Sequence, residues 1–196
     1  SAFAYCDNLT NVIIHNGVRD IGLFAFQNCG SLKNIEMPDS ITEIGFSAFV
    51  DCGSLASIII PDSVVNIGEY AFSGCEKLVS VKFPKGITNI VNSMFRNCGS
   101  LKNIEIPNSV TIIGESSFMN CDGLTNIKIP CSVISIKFKA FSECYALKSV
   151  VFENDSKLTT IEPYAFEACS GLTSFEIPHC ISNIDDEAFL NCLNLY

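Results

Sequence analysis

The sequence predicts an α/β solenoid: a curved rod of eight stacked coils, with a parallel β-sheet on the concave face and short helical or 3-10 returns on the convex face. Two residue columns carry the prediction. Cysteines stand every 23 residues at Cys6, Cys29, Cys52, Cys75, Cys98, Cys121 and Cys144; a 25-residue step then leads to Cys169, and Cys192 restores the spacing. Phenylalanine keeps the same time three residues earlier, from Phe3 to Phe189. A fixed period of about 20 to 50 residues marks an array in which each unit buries its apolar face only against its neighbours. The third observation is bulk: 196 residues with 48% hydrophobic content suffice for one continuous core in a single domain.

The unit Leu101–Gly123, LKNIEIPNSVTIIGESSFMNCDG, shows how the elements follow from the residues. Leu101, Ile104 and Ile106 form the core side of a short strand, with Asn103 and Glu105 alternating outward. Pro107 ends that strand because it has no N–H for a ladder. Val110 and Ile113 predict a second, shorter extended segment, and Gly114 suits a turn with positive φ. Phe118 and Cys121, three apart, fit one or two helical or 3-10 turns facing the core. A strand with such a return describes a leucine-rich-repeat coil. Stacked at ~4.8 Å per coil, the units give a rod about 40 Å long.

Units begin at Leu9, Leu32, Leu55, Leu78, Leu101, Leu124, Leu147 and Leu172, with a partial unit over residues 1–8 and a stub at 195–196. Residues 1–196 are therefore one domain, read as a section of a longer array because neither end carries an atypical polar cap. Uncapped ends predict some end-to-end self-association. The unit at Leu147 has two extra residues near Glu153–Lys157 and lacks the proline that six of the eight units carry after the first strand. Insertions in solenoids go to loops on one face, so this segment should bulge at the rod's edge.

These residues resemble a known family. LASIIIPDSVVNIGEYAFSGC and LKNIEMPDSITEIGFSAFVDC are similar to the LxxIxIPxxVxxIGxxAFxxC pattern of BspA-like, or Treponema pallidum-type, leucine-rich repeats, and the likeness covers essentially the whole chain. Departures are local: Val91, Lys137, Glu162 and Asp185 replace Gly, and Met94 and Ser117 replace the Ala before Phe. The resemblance implies a surface or secreted protein of host-associated microbes, working in adhesion to host cells, matrix proteins or other microbes. It implies no shared catalytic motif, so it carries over no active-site residue.

Charge narrows the partners. Twelve Lys plus Arg against 21 Asp plus Glu give a formal net charge of −9, which argues against nucleic acid and anionic membrane surfaces. No apolar run approaches the ~20 residues that span a bilayer, and no basic and apolar leader opens the chain. Membrane attachment would come only from segments outside this sequence.

The chemistry-bearing residues point away from catalysis. Nine of the 11 cysteines form one column. Their parallel Cβ vectors disfavour disulfides, and a line of ligands does not converge on zinc. A buried free-thiol ladder is the expectation, free Cys being a small hydrophobe. Cys131 and Cys180 lie outside the column, two repeats apart. His15 and His179 sit at opposite ends, so no Cys–His or Ser–His pair assembles. Asp185 and Asp186 are adjacent at a predicted helical start, where negative charge is favourable. No phosphate-binding glycine motif occurs. The expectation is no enzyme, no metal and no cofactor.

Binding rests on the outward positions of the first strand. One column is small and polar: Asn11, Asn34, Ser57, Ser80, Asn103, Asn126, Ser149, Ser174. Its neighbour changes with each unit: Ile13, Glu36, Ile59, Lys82, Glu105, Lys128, Val151, Glu176. The candidate partner-binding residues are Glu36, Ile59, Lys82, Asn103, Glu105, Lys128 and Glu176, for a protein or glycan ligand. Each column also has a structural reading: a side-chain hydrogen-bond ladder in the first, and stabilising opposite charges at Lys82, Glu105 and Lys128 in the second. The alternatives to a cell-surface or secreted recognition module are a rigid spacer displaying another domain and a cytosolic scaffold, where reduced thiols persist. Asn8 and Asn154 head sequons that a eukaryotic secretory pathway could glycosylate.

Overall fold

The computed structural model describes residues 1–196 apart from the side chain of Asn103. Each coil contributes two short strands. The first four coils hold β1 (Asn11–Ile13) and β2 (Asp20–Ile21), β3 (Asn34–Glu36) and β4 (Glu43–Ile44), β5 (Ser57–Ile59) and β6 (Asn66–Ile67), and β7 (Ser80–Lys82) and β8 (Asn89–Ile90). The next three hold β9 (Asn103–Ile104) and β10 (Ile112–Ile113), β11 (Asn126–Ile129) and β12 (Ser135–Ile136), and β13 (Ser149–Phe152) and β14 (Thr160–Ile161). The eighth coil adds β15 (Asn183–Ile184) alone. Odd-numbered strands up to β13 stack in one parallel series of three hydrogen-bonded sheets, β1-β3, β5-β7-β9 and β11-β13; even-numbered strands and β15 stack in a second, of two sheets, β2-β4-β6 and β8-β10-β12-β14-β15. Equivalent residues pair, as in Val12 with Ile35, Ile58 with Val81, and Ile113 with Ile136. Ile127 pairs with Val150 and Ile136 with Ile161. The two extra residues of the seventh unit therefore lie between β13 and β14, and both ladders pass the insertion without a register slip.

The core is a set of columns, of which those of leucine, phenylalanine and cysteine hold one residue type throughout and the rest mix small and apolar residues. Leu32, Leu55, Leu78, Leu101, Leu124, Leu147 and Leu172 are fully buried. Nine phenylalanines, Phe3 to Phe189, stack in single file with ring centroids 5.1–5.7 Å apart and planes within 14° of parallel. That spacing exceeds the ~4.8 Å between paired strands. The coils splay on the ring side, leaving the first sheet on the inside of the curve.

The cysteine column does more than fill space. From Cys29 to Cys192, eight thiols each donate to the carbonyl of the column phenylalanine of the preceding coil, at 3.0–3.3 Å. A second clasp runs down the turn after the first strand. There Ser40, Ser63 and Ser132 hydroxyls donate to Val18, Ile41 and Val110 carbonyls at 2.6–2.7 Å. Cys180 stands in this serine column and donates to Leu158 O.

The return differs from expectation: no helix of any kind forms among the described residues. Two residues per coil, four apart, are left-handed, such as Ser47 and Asp51 (φ 52° and 59°). Ala48, Val50 and Cys52 do close i→i−3 turns, at 3.2–3.3 Å, but Ser47, Phe49 and Asp51 donate instead to Glu69, Ala71 and Ser73 of the next coil, at 2.8–2.9 Å. Alternating local and inter-coil bonds make the return a third parallel ladder, which a helix, with its N–H groups spent internally, could not provide. The glycine column is likewise not a positive-φ site; the positive-φ glycines are Gly17 and Gly74. Glycine at 45 and 114 serves close approach. A Cβ on Gly45 would lie 2.8 Å from Gly22 C, and one on Gly114 would lie 2.6 Å from Ile90 O.

Ser117 occupies the buried alanine column, its hydroxyl without a hydrogen-bond partner among the described residues. Ser117→Ala should raise stability by about 1 kcal/mol in urea unfolding, since an unmade buried hydrogen bond costs ~1–3 kcal/mol. Phe95→Ala, which breaks the ring file, should lower it by about 3–5 kcal/mol.

Burial pushes the Cys52 and Cys144 thiols from an ordinary 9.0 up to about 12, and Cys75, Cys98 and Cys121 well above 9.0. Unfolded thiols ionise first, so the thiol contribution to stability is complete below about pH 9 and is lost as pH rises from there through the folded values. Each fully buried thiol should forfeit up to ~1.4 kcal/mol per pH unit in that window. Melting temperature followed from pH 8 to pH 11 should fall steeply above 9; a flat profile would mean the column is solvent-accessible.

Candidate interaction surface

Alternation along each first strand turns the middle residue inward and its two neighbours outward, so the sheet presents two residues per coil to solvent. Of the sequence-derived candidates, Ile59 ends β5 at 65% exposed, and Glu36, Lys82, Glu105 and Lys128 are exposed at the equivalent position of their coils. Ile13 and Val151, at 61% and 52%, complete that column's apolar members. Asn103 lies outside the described side chains. Glu176 is exposed but belongs to no strand; the eighth coil's segment 173–177 does not extend the ladder past β13.

The candidates gather along shallow grooves on this face. Glu105 and Lys128 border one of about 510 Å³ floored by Val81, Ile104 and Ile127. Glu36 and Ile59 border another of about 490 Å³. Glu176 faces the inserted bulge across a groove of about 760 Å³. The small polar column is a hydrogen-bond ladder in places: Asn34 donates to Asn11 at 2.9 Å and Ser149 to Asn126 at 2.7 Å.

The charged column does not pair as its alternating signs suggest. Among the described residues no ion pair joins Lys82, Glu105 and Lys128; Lys128 instead meets Glu153 of the bulge at 2.6 Å. Glu153 also accepts the Cys131 N–H, at 3.2 Å. The Lys128 hydrogen bond holds the Glu153 carboxyl below its ordinary range, and Glu153 raises Lys128 in turn. The insertion thus reaches back over the sheet and spends one of its cations. Lys82 and Glu105 join no ion pair among the described residues.

A second asymmetry was open in the sequence and is visible once the coils are stacked. The leucine-to-turn halves of the eight units hold seven lysines and seven carboxylates, whereas the remaining second-strand and return segments hold five cations and 14 carboxylates. The whole net charge of −9 therefore sits behind an electrically balanced strand face.

Other chemistry is sparse. Among the described residues no three His, Cys, Asp or Glu side chains converge on a metal-sized site. All 11 cysteines are free thiols, and both histidines are exposed. The column thiols from Cys29 to Cys169 are buried, out of reach of a substrate.

A family model described as a BspA-type leucine-rich-repeat region matches residues 1–123 and 88–196. Among solved structures the chain is similar to a T. pallidum leucine-rich-repeat protein, at 29% identity and a TM-score of 0.75, over 84% of this chain and 78% of that one. It is also similar to a leucine-rich cell-surface protein of Faecalibacterium prausnitzii A2-165, at 29% identity and a TM-score of 0.64, with all of this chain covering 60% of that one. The pneumococcal vaccine antigen PcpA matches 95% of this chain over 49% of its own length, at 19% identity and a TM-score of 0.65, a likeness of fold. No curated protein sequence matches.

Proposed function

This chain belongs to the BspA-type leucine-rich-repeat family, and from that premise we propose that it is a non-catalytic recognition module of a cell-surface or secreted protein, engaging a protein partner through its concave strand face. The observation that carries the reading is the division of the surface. Inside the rod the leucine, phenylalanine and cysteine columns repeat one residue and the other columns change only among small or apolar residues, while the exposed outward position after the first strand's middle residue changes in character from Ile13 to Glu36, Ile59, Lys82 and Glu105. Exposed aliphatic side chains beside uncommitted charges of both signs suit a protein surface, where apolar anchors and charge register act together. A glycan would favour aromatic platforms, and the exposed aromatics Phe3, Tyr5, Phe46, Tyr145 and Tyr196 all lie outside the strands of this face. Surface placement is supported by the F. prausnitzii relative, which is described as a cell-surface protein.

The test is adhesion of the purified protein to a panel of matrix proteins and epithelial cells, beside a variant carrying Glu36, Lys82 and Glu105 changed to Ser. Saturable binding that weakens at least tenfold in the variant, the loss of roughly 1.4 kcal/mol, is the expected result. Binding indifferent to the three changes would favour the rigid-spacer reading, in which only the rod's length matters.

A further inference from the structure

The convex side carries a feature that the strand-face reading does not use. Two pairs of coils build the same aromatic corner at the start of the return. In coils six and seven, Phe138 and Tyr164 meet edge to face with centroids 5.7 Å apart. In coils two and three, Phe46 and Tyr70 occupy the same two columns with centroids 5.5 Å apart and planes tilted at 57°, and Phe24 of coil one packs edge-on against the other side of Phe46 at 5.4 Å.

The corners differ in what covers them. Lys139 follows Phe138, and its ammonium lies 5.7 Å from the Phe138 centroid and 5.1 Å from that of Tyr164, while pairing with Glu167 at 3.3 Å. A cation over ring faces is drawn by their negative quadrupole. The residue in the Lys139 column of coil two is Ser47, which is buried and too short to reach over either ring. Phe46 is left 38% exposed. Glu69 follows Phe46 in its column; its carbonyl accepts the Ser47 N–H at 2.9 Å and its exposed carboxylate accepts from Asn92 Nδ2 at 2.9 Å, leaving one oxygen open. Tyr70 sits in a left-handed conformation, φ 58°, that its column imposes on large and small residues alike, from Phe24 and Tyr164 to Ser93 and Ser116.

We propose that the Phe46–Tyr70 corner is a docking seat for a lysine side chain presented by a basic segment of a partner protein. The twin corner shows what the geometry accepts, a lysine ammonium over both rings, although Ser73 stands where the twin has Glu167. Charge complementarity names the rest of the partner, because this side of the rod holds 14 carboxylates against five cations. The seat lies on the return, away from the strand face, so both surfaces can be occupied at once.

The experiment titrates the protein with a capped pentalysine peptide, following the Phe46 and Tyr70 ring signals by ¹H–¹³C NMR, with the Nζ-acetylated peptide as the uncharged control. Ser47→Lys fills the seat from within, as Lys139 does, and leaves both rings in place. Phe46→Asn with Tyr70→Ser removes the rings using residues these columns already hold at Asn92 and Ser93. Saturable ring shifts with pentalysine, none with the acetylated peptide, and binding weaker by about two- to fivefold in both variants are expected, the scale of one exposed cation–π contact. Unmoved ring signals, or equal binding in both variants, would overturn the proposal and leave only diffuse attraction to an acidic face.

Discussion

The contacts that repeat along this rod join each coil to the next at equivalent positions. The constraint is a fixed translation. The first strands, the second strands and the return pair in parallel from coil to coil over most of the rod, and three side-chain files (rings, thiols and turn hydroxyls) repeat the same step. A register error in any one would misplace all the others, since a slip moves every side chain of a strand to the wrong face. The 25-residue unit shows how strict this is. Its two extra residues are expelled into the bulge between β13 and β14, and pairing resumes at Thr160 opposite Ser135.

Such a constraint also explains how the surface is free to vary. The inward positions are held by their neighbours in both directions, while the outward position after the first strand's middle residue is free to change from coil to coil. The bulge edits that surface by neutralising Lys128 through Glu153. The same logic operates on the back of the rod, where Lys139 covers one aromatic corner and Ser47 leaves its twin open.

The sequence made the period, the columns, the strand register and the site of the insertion legible, because each depends on residues repeating at fixed spacing. The buried thiol column was legible too. The hydrogen bonds it makes were not, since they depend on where the preceding coil's phenylalanine carbonyl points. The return was misread as helical because Phe118 and Cys121 have helical spacing; the better signal was Asn28, Asp51, Gly74, Asn97 and Asn120, all tolerant of left-handed backbone, each preceding a column cysteine. Gly114 was read as a φ residue when its neighbour, the Ile90 carbonyl one coil away, was the reason for it. The Lys128–Glu153 pair escaped notice because it crosses from a regular column to the one irregular loop.

The fixed translation is tested most directly by deleting residues 78–100, one complete 23-residue unit, and comparing urea unfolding with that of a deletion one residue shorter. The 23-residue deletion should unfold in a single cooperative transition, with an m-value smaller by about an eighth, because every column closes up in register. The shorter deletion should lose cooperativity or fail to fold. Equal tolerance of both deletions would contradict the account, showing that the coils are held by generic burial and not by matched columns.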